Sequence, residues 1–247
     1  MTGDQRVLGG VVRLLAVVAV LSTLGAGVGA AVVQAREEPR GAAGGGTASP
    51  SPGVPDPFLA PAEGFDYRNW VDQRAEAAGY RLPGGWHVAP AERLVEARDV
   101  DDAVVARGSL SAYYYGNRCT DTEPVAGAFT VLAEPVAGSD PKAAAEDAVL
   151  AWARSYNHNS AGVEAAFTDP VTRDVTLADG SEATRSWVSI DMSVFSGTCL
   201  PERAEVAVTT VARGEQLVSL VQGRYVLEQG GVSDAQWSAI AASLRVE

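Results

Sequence analysis

Cysteine, histidine and methionine occur twice each in 247 residues, and lysine once. That scarcity removes whole classes of chemistry. The two cysteines form no Cys-x-x-Cys, and His87 and His158 belong to no H-E-x-x-H or other ligand spacing, so neither a dithiol redox centre nor a zinc site is expected. There is no G-x-S-x-G nucleophile elbow, phosphate-binding loop or glycine-rich dinucleotide fingerprint. No catalytic residue, metal or cofactor is therefore assigned. Positive charge is also short: the net charge is -12, and from Glu63 onward 15 Arg or Lys face 27 Asp or Glu. Binding nucleic acid needs cations that displace counterions from phosphates, so nucleic acid is excluded as a partner.

What the chain does have is an uncharged run, "LLAVVAVLSTLGAGVGAAVV" over 14–33, long enough at 1.5 Å per residue to span roughly 30 Å of hydrocarbon. Its four Leu and six Val favour insertion by roughly 3–6 kcal/mol. A cleaved signal has a shorter apolar region, so the run predicts a retained signal anchor. Cleavage after Ala30 or Ala35, where small residues stand at the right spacing, is the rival and would give a secreted protein. Residues 1–13 would be a short cytoplasmic tail, and Glu37 and Glu38 dilute Arg36 and Arg40 beyond the run, which places the remainder outside. Lipid attachment at an N-terminal cysteine is excluded because no Cys precedes residue 119.

Residues 34–62 are rich in Gly, Pro, Ser and Ala without apolar periodicity and read as a linker. Residues 63–247, with 47% hydrophobic content in the whole chain, read as one extracytoplasmic domain. "DYRNWVDQRAEAAGY" reads as a short helix carrying Trp70, Val71 and Ala75. "RLVEARD", "AVVARGSLSAYYY" and "AFTVLAEP" read as strands. "DPKAAAEDAVLAWARSY" is a helix with Asp140 as cap, Pro141 in its first turn, and Ala145, Val149, Trp152 and Tyr156 on one face. Two hairpins follow, around Asp179-Gly180, where both positions tolerate positive φ, and around Arg213-Gly214. Ser233 and Gln236 open a last helix with Trp237, Ile240, Ala241 and Leu244 as its stripe. The order predicts an α+β domain, an antiparallel sheet with packed helices.

The run "YRLPGGW", the helix "PKAAAEDAVLAWARSY", the meander and the closing "SDAQWSAIAASL" resemble PsbP-like or Mog1-like domains of uncharacterised function in actinobacterial cell-envelope proteins. The resemblance spans about residues 78–247. It implies an α+β sandwich and a noncatalytic role, and it brings no catalytic residues. The abundance of Ala, Val and Gly beside a single Lys fits a GC-rich source of that kind.

Two expectations concern sites. Cys119 and Cys199, each in a polar turn of an exported domain, are expected to pair as a structural disulfide. If Arg107, Tyr113 and Tyr115 share a sheet face with Arg185 and Trp187, they form an aromatic and arginine patch of the composition enriched in binding hot spots. Asp99, Asp101 and Asp102 lack the glycine and distal Glu of a calcium loop and read as a solvated turn. The functional expectation is a membrane-tethered, noncatalytic domain that binds an envelope protein or cell-wall component. The alternatives are an envelope hydrolase whose carboxylates converge only in the fold, and a secreted ligand carrier.

Overall fold

Strict alternation along the central strands sets the architecture. In the computed structural model, which describes residues 66–75, 78–115, 126–195, 201–227 and 230–247, β10 (Arg203–Arg213) and β11 (Gln216–Tyr225) form a ten-pair antiparallel hairpin. Val206 and Val208 of β10 pack toward one helix, while Ala207 between them packs toward the other. Both faces of the sheet are thus covered, and α+β is the fold class.

The large sheet runs β3 (His87–Val88), β5 (Val104–Tyr114), β6 (Ala128–Ala133), β11, β10, β9 (Glu182–Asp191), β8 (Val171–Thr176), with β4 (Val95–Arg98) added to β5 and β7 (Val136–Ala137) to β11. Every pairing is antiparallel. On one face lies α1 (Pro141–Tyr156), whose Val149 and Trp152 pack on Val188, Ile190, Val206 and Val221. On the other lies α2 (Asp234–Ala242), with a small sheet of β1 (Val71–Arg74), β2 (Ala78–Leu82) and β12 (Arg245–Val246) beside it. There Tyr80, Leu82, Ile240 and Leu244 meet Leu110, Ala112, Leu132 and Leu220.

The helix starts follow their sequence signals. Asp140 accepts the backbone N–H groups of Lys142 and Ala143, and Ser233 Oγ accepts that of Gln236. Each cap satisfies donors that the first turn leaves open.

Three local expectations are corrected. The segment around Trp70 is not a helix: Val71–Arg74 is a strand paired with Ala78–Leu82, which in turn pairs with the C-terminal Arg245–Val246. Its ladder comes from adjacent β2, which the C-terminal strand flanks on the other side, and the Tyr67 hydroxyl just before it donates to the Ala239 carbonyl of α2; an isolated short helix has no such partners. The alternation along β5 also breaks. A bulge between Ser109 and Ala112, with Leu110 at φ 48°, shifts the register, so residues before and after it exchange faces. At the Asp179-Gly180 turn only Gly180 has positive φ, at 87°; Asp179 instead accepts the Ser181 N–H. The turn is closed by five residues and not two.

Gly223 shows why one β11 position tolerates no side chain. It sits opposite Phe129, and a Cβ there would run into the phenyl ring, which itself packs against Trp152 and Tyr156 of α1 at 6.0 and 5.5 Å. Gly223→Ala is expected to destabilise the domain by about 1–3 kcal/mol through overpacking, read as a lower urea midpoint at unchanged slope.

The anchor and linker expectations at 14–33 and 34–62 fall outside the described residues, as do Cys119 and Cys199. Among the described residues no helix is long and apolar enough to cross a membrane.

Candidate binding site

The α2 face of the sheet is apolar at its edges and charged in its middle. Small Ala207 lies at the centre, with Trp187 opposite it on β9 and Gln222 opposite it on β11. Next along the strands come Glu205, paired with Arg224, and on the other side Thr209, paired with Arg185. Period two puts all of these on the same face. Trp237 of α2 packs over Ala207 and Trp187 and closes the cluster.

Arg224 is fully engaged. Its Nε donates to Glu205 Oε2 at 2.8 Å, and its Nη2 lies 2.7 Å from both Glu205 Oε2 and Asp234 Oδ1. Nη1 donates to the Val232 carbonyl, and the guanidinium stacks 4.8 Å from the Trp237 ring. The residue therefore clamps the start of α2 onto the sheet. Arg203 approaches Glu205 Oε1 at 3.6 Å.

Arg185 is different. It is 3% exposed, its Nη1 donates to Thr209 Oγ1 at 3.4 Å, and its Nε and Nη2 have no protein partner. Burial, then the like charge of Arg224, pushes its pKa down to about 9 against the pull of Glu205. At neutral pH it remains a cation. Among the buried charges of the described residues, two guanidiniums, Arg185 and Arg224, stand against one carboxylate, Glu205, which leaves one positive charge in excess. Trp187 Nε1, Trp237 Nε1 and Gln222 Oε1 are also buried without a protein partner.

An unpaired buried cation costs folding energy, which gives a test of the assignment. Arg185→Met, of similar length and apolar, is expected to stabilise the domain by about 1–4 kcal/mol in urea unfolding at pH 7. A loss of stability would mean that Arg185 is compensated within the protein.

The five residues expected to form a surface patch are not brought together. Arg107 is exposed and paired with Glu96 at 3.3 Å. Tyr113 stands opposite Phe129, on the α1 side, and exposed Tyr115 meets the His87 ring edge-on at 5.1 Å. Arg185 and Trp187 lie on the α2 side, four strands away from β5 in the sheet order. The β5 bulge and the burial of Arg185 are the physical reasons. Sequence reasoning passed over Glu205, Gln222 and Arg224, although the tight turn after Arg213 sets Arg213 opposite Gln216 and so, eight residues along each strand, Glu205 opposite Arg224.

Elsewhere the described residues offer little chemistry. Among them no group of three or more His, Cys, Asp or Glu could hold a metal ion. Asp99 is an acceptor for the backbone N–H groups of Asp101 and Ala103, as expected of a turn. An open hollow of about 590 Å³ is lined by Asp66, Tyr67, Arg68, Trp70, Asp72 and Arg81. Hydrogen bonds from Arg68 hold the Asp66 carboxyl below the usual range. Burial raises that of Asp72, but hydrogen bonds from Arg245 and Arg81 outweigh it and leave the carboxyl lowered. A general acid at neutral pH needs the opposite shift.

Among solved structures, the chain is similar to the Saccharomyces cerevisiae Ran-binding protein Mog1p, at 10% identity and a TM-score of 0.41, over 72% of this chain and 95% of that one. A point mutant of Mog1 matches at 11% identity and 0.39, over 72% and 94%. A Bacteroides thetaiotaomicron structure matches at 10% and 0.25, over 69% and 45%. Likenesses this faint transfer neither partner nor site to this chain. No curated protein matches it. The model of a family described as "Domain of unknown function (DUF8017)" matches residues 68–247.

Proposed function

We propose, for a chain that belongs to the DUF8017 family, a noncatalytic binding domain held outside the cell membrane by an N-terminal anchor. The observation that carries the binding half is Arg185: a buried cation with unused donors, whose neighbouring carboxylate, Glu205, is already taken up by Arg224. Such an arrangement suits recognition of a group of opposite charge. The tethering half rests on the sequence alone, on the uncharged run at 14–33 and the linker at 34–62.

The domain would then sit within a few tens of Å of the membrane surface, the reach of a flexible linker of this length, where an envelope protein or cell-wall component is the available partner. Intact-mass measurement of the cellular protein decides the anchor: the full mass of the chain is expected, and a mass beginning after Ala30 or Ala35 would make the protein secreted. Protease applied to intact cells should remove the domain. Crosslinking in the same cells should join it to an envelope component; a domain that resists the protease and crosslinks only to cytoplasmic proteins would end this reading.

A further inference from the structure

Nε and Nη2 of a guanidinium lie on one edge, spaced to grip the two oxygens of a carboxylate. In Arg185 that edge is the unused one, since Nη1 already donates to Thr209. The guanidinium reaches over β10 to Thr209, and Glu205 with Arg224 lies on the same face beyond small Ala207. Trp187 Nε1, two residues along the same face, is a further donor without a partner.

We infer that the Arg185 edge, with the unpartnered Trp187 indole two residues along the same face, is a binding site for a carboxylate, reached when α2 lifts from the sheet. This rests on the reading of the domain as a binding module. The charge count selects the class: the cluster carries one excess positive charge, which a carboxylate cancels and a phosphate dianion overshoots. Gln222 Oε1, across Ala207 from Trp187, is an unused acceptor. It suits an N–H close to the carboxylate, as at the end of a peptide, whereas a simple organic acid would use the arginine edge alone. The way in is at the start of α2, which the Arg224 contacts to Asp234 and the Val232 carbonyl hold down.

The test uses the full chain in detergent micelles, titrated calorimetrically at constant ionic strength with propionate, N-acetyl-alanyl-alanine, the amide of that dipeptide, and sulfate. Saturable binding of propionate or of the dipeptide acid is expected, with no binding of the amide. A dipeptide that binds more tightly than propionate identifies a peptide end as the source, and equal binding identifies a small acid. Arg185→Lys keeps the charge but loses the two-pronged edge, and should weaken binding about tenfold or more. Arg185→Met, expected to fold at least as well as the parent, should abolish it. Binding that survives Arg185→Met, binding of the amide as tight as the acid, a preference for sulfate, or no binding of either acid would each overturn the inference. If the acids fail while crosslinking in cells still captures an envelope partner, only this site is lost and the binding-domain reading stands.

Discussion

Replacing Glu205 with glutamine is expected to lower the unfolding free energy by about 3–5 kcal/mol, because it removes a fully buried anion that pairs with the Arg203 and Arg224 guanidiniums. Glutamine keeps an acceptor for Arg224 but not the charge. Arg224 would retain only Asp234, and Arg185 would lose the one neighbour that favours its charged form. For a folded unit of this size the cost corresponds to a melting temperature lower by roughly 6–20 °C. Thermal and urea unfolding of the parent and variant measure it. The companion measurement is the double variant Glu205→Leu with Arg224→Met. Removing both partners leaves no orphaned charge at that pair, so it should recover most of the loss, and the cycle completed by the single variants Glu205→Leu and Arg224→Met gives the coupling. A double variant as unstable as Glu205→Gln would show that the pair matters for packing and not for charge. Exposed pairs such as Arg68 with Asp66 should contribute little by comparison, since solvent screens them.

The other large effect concerns Cys119 and Cys199. We propose that they form a disulfide, and the described strands on either side of them are compatible with one. Tyr114 stands opposite Ala128, Ala128 opposite Arg224, and Arg224 opposite Glu205, so the chain leaves β5 and enters β10 at the same end of the large sheet. Three strand spacings amount to about 14 Å. Cys119 lies four residues past Tyr115 and Cys199 two before Pro201, and four extended residues reach about 13 Å. Closing a loop of about 80 residues is worth up to roughly 4.5 kcal/mol on the chain-entropy argument. Reduction, or Cys119→Ser with Cys199→Ser, is accordingly expected to lower stability by a few kcal/mol. Alkylation of the unreduced protein should find no thiol. Two reactive thiols in protein taken from cells would remove the disulfide and, with it, one support for an oxidising compartment.

These effects sit at different distances from the sequence. The register that opposes Glu205 to Arg224 follows from a two-residue loop at Gly214-Glu215, one position later than the Arg213-Gly214 centre expected from the sequence, which would have set Glu205 opposite Gln222. Arg185 opposite Thr209 is not legible in that way. Eleven residues, 192–202, which include a 3-10 turn at Met192–Val194, separate β9 from β10, so no two-residue loop sets their register. The surface patch built on Arg107, Tyr113 and Tyr115 assumed unbroken alternation along β5. The bulge at Leu110 removed that premise, and nothing in "ARGSLSAYYY" marks its position.

The sequence alone determined what local chemistry decides. The caps at Asp140 and Ser233, the apolar stripes of α1 and α2, and the positive φ at Gly180 and Gly214 follow from which side chains can satisfy a nearby backbone group or fit a tight turn. Contacts between distant parts of the chain belonged to the tertiary structure. Only it turned the Trp70 segment into the edge of a sheet that the C-terminus completes, and only it laid α2 over Ala207 and buried Arg185 with a single protein hydrogen bond. Burial is the reason: whether an arginine in a strand is a surface charge or an unpaired cation depends on what packs above it, and no spacing along the chain records that.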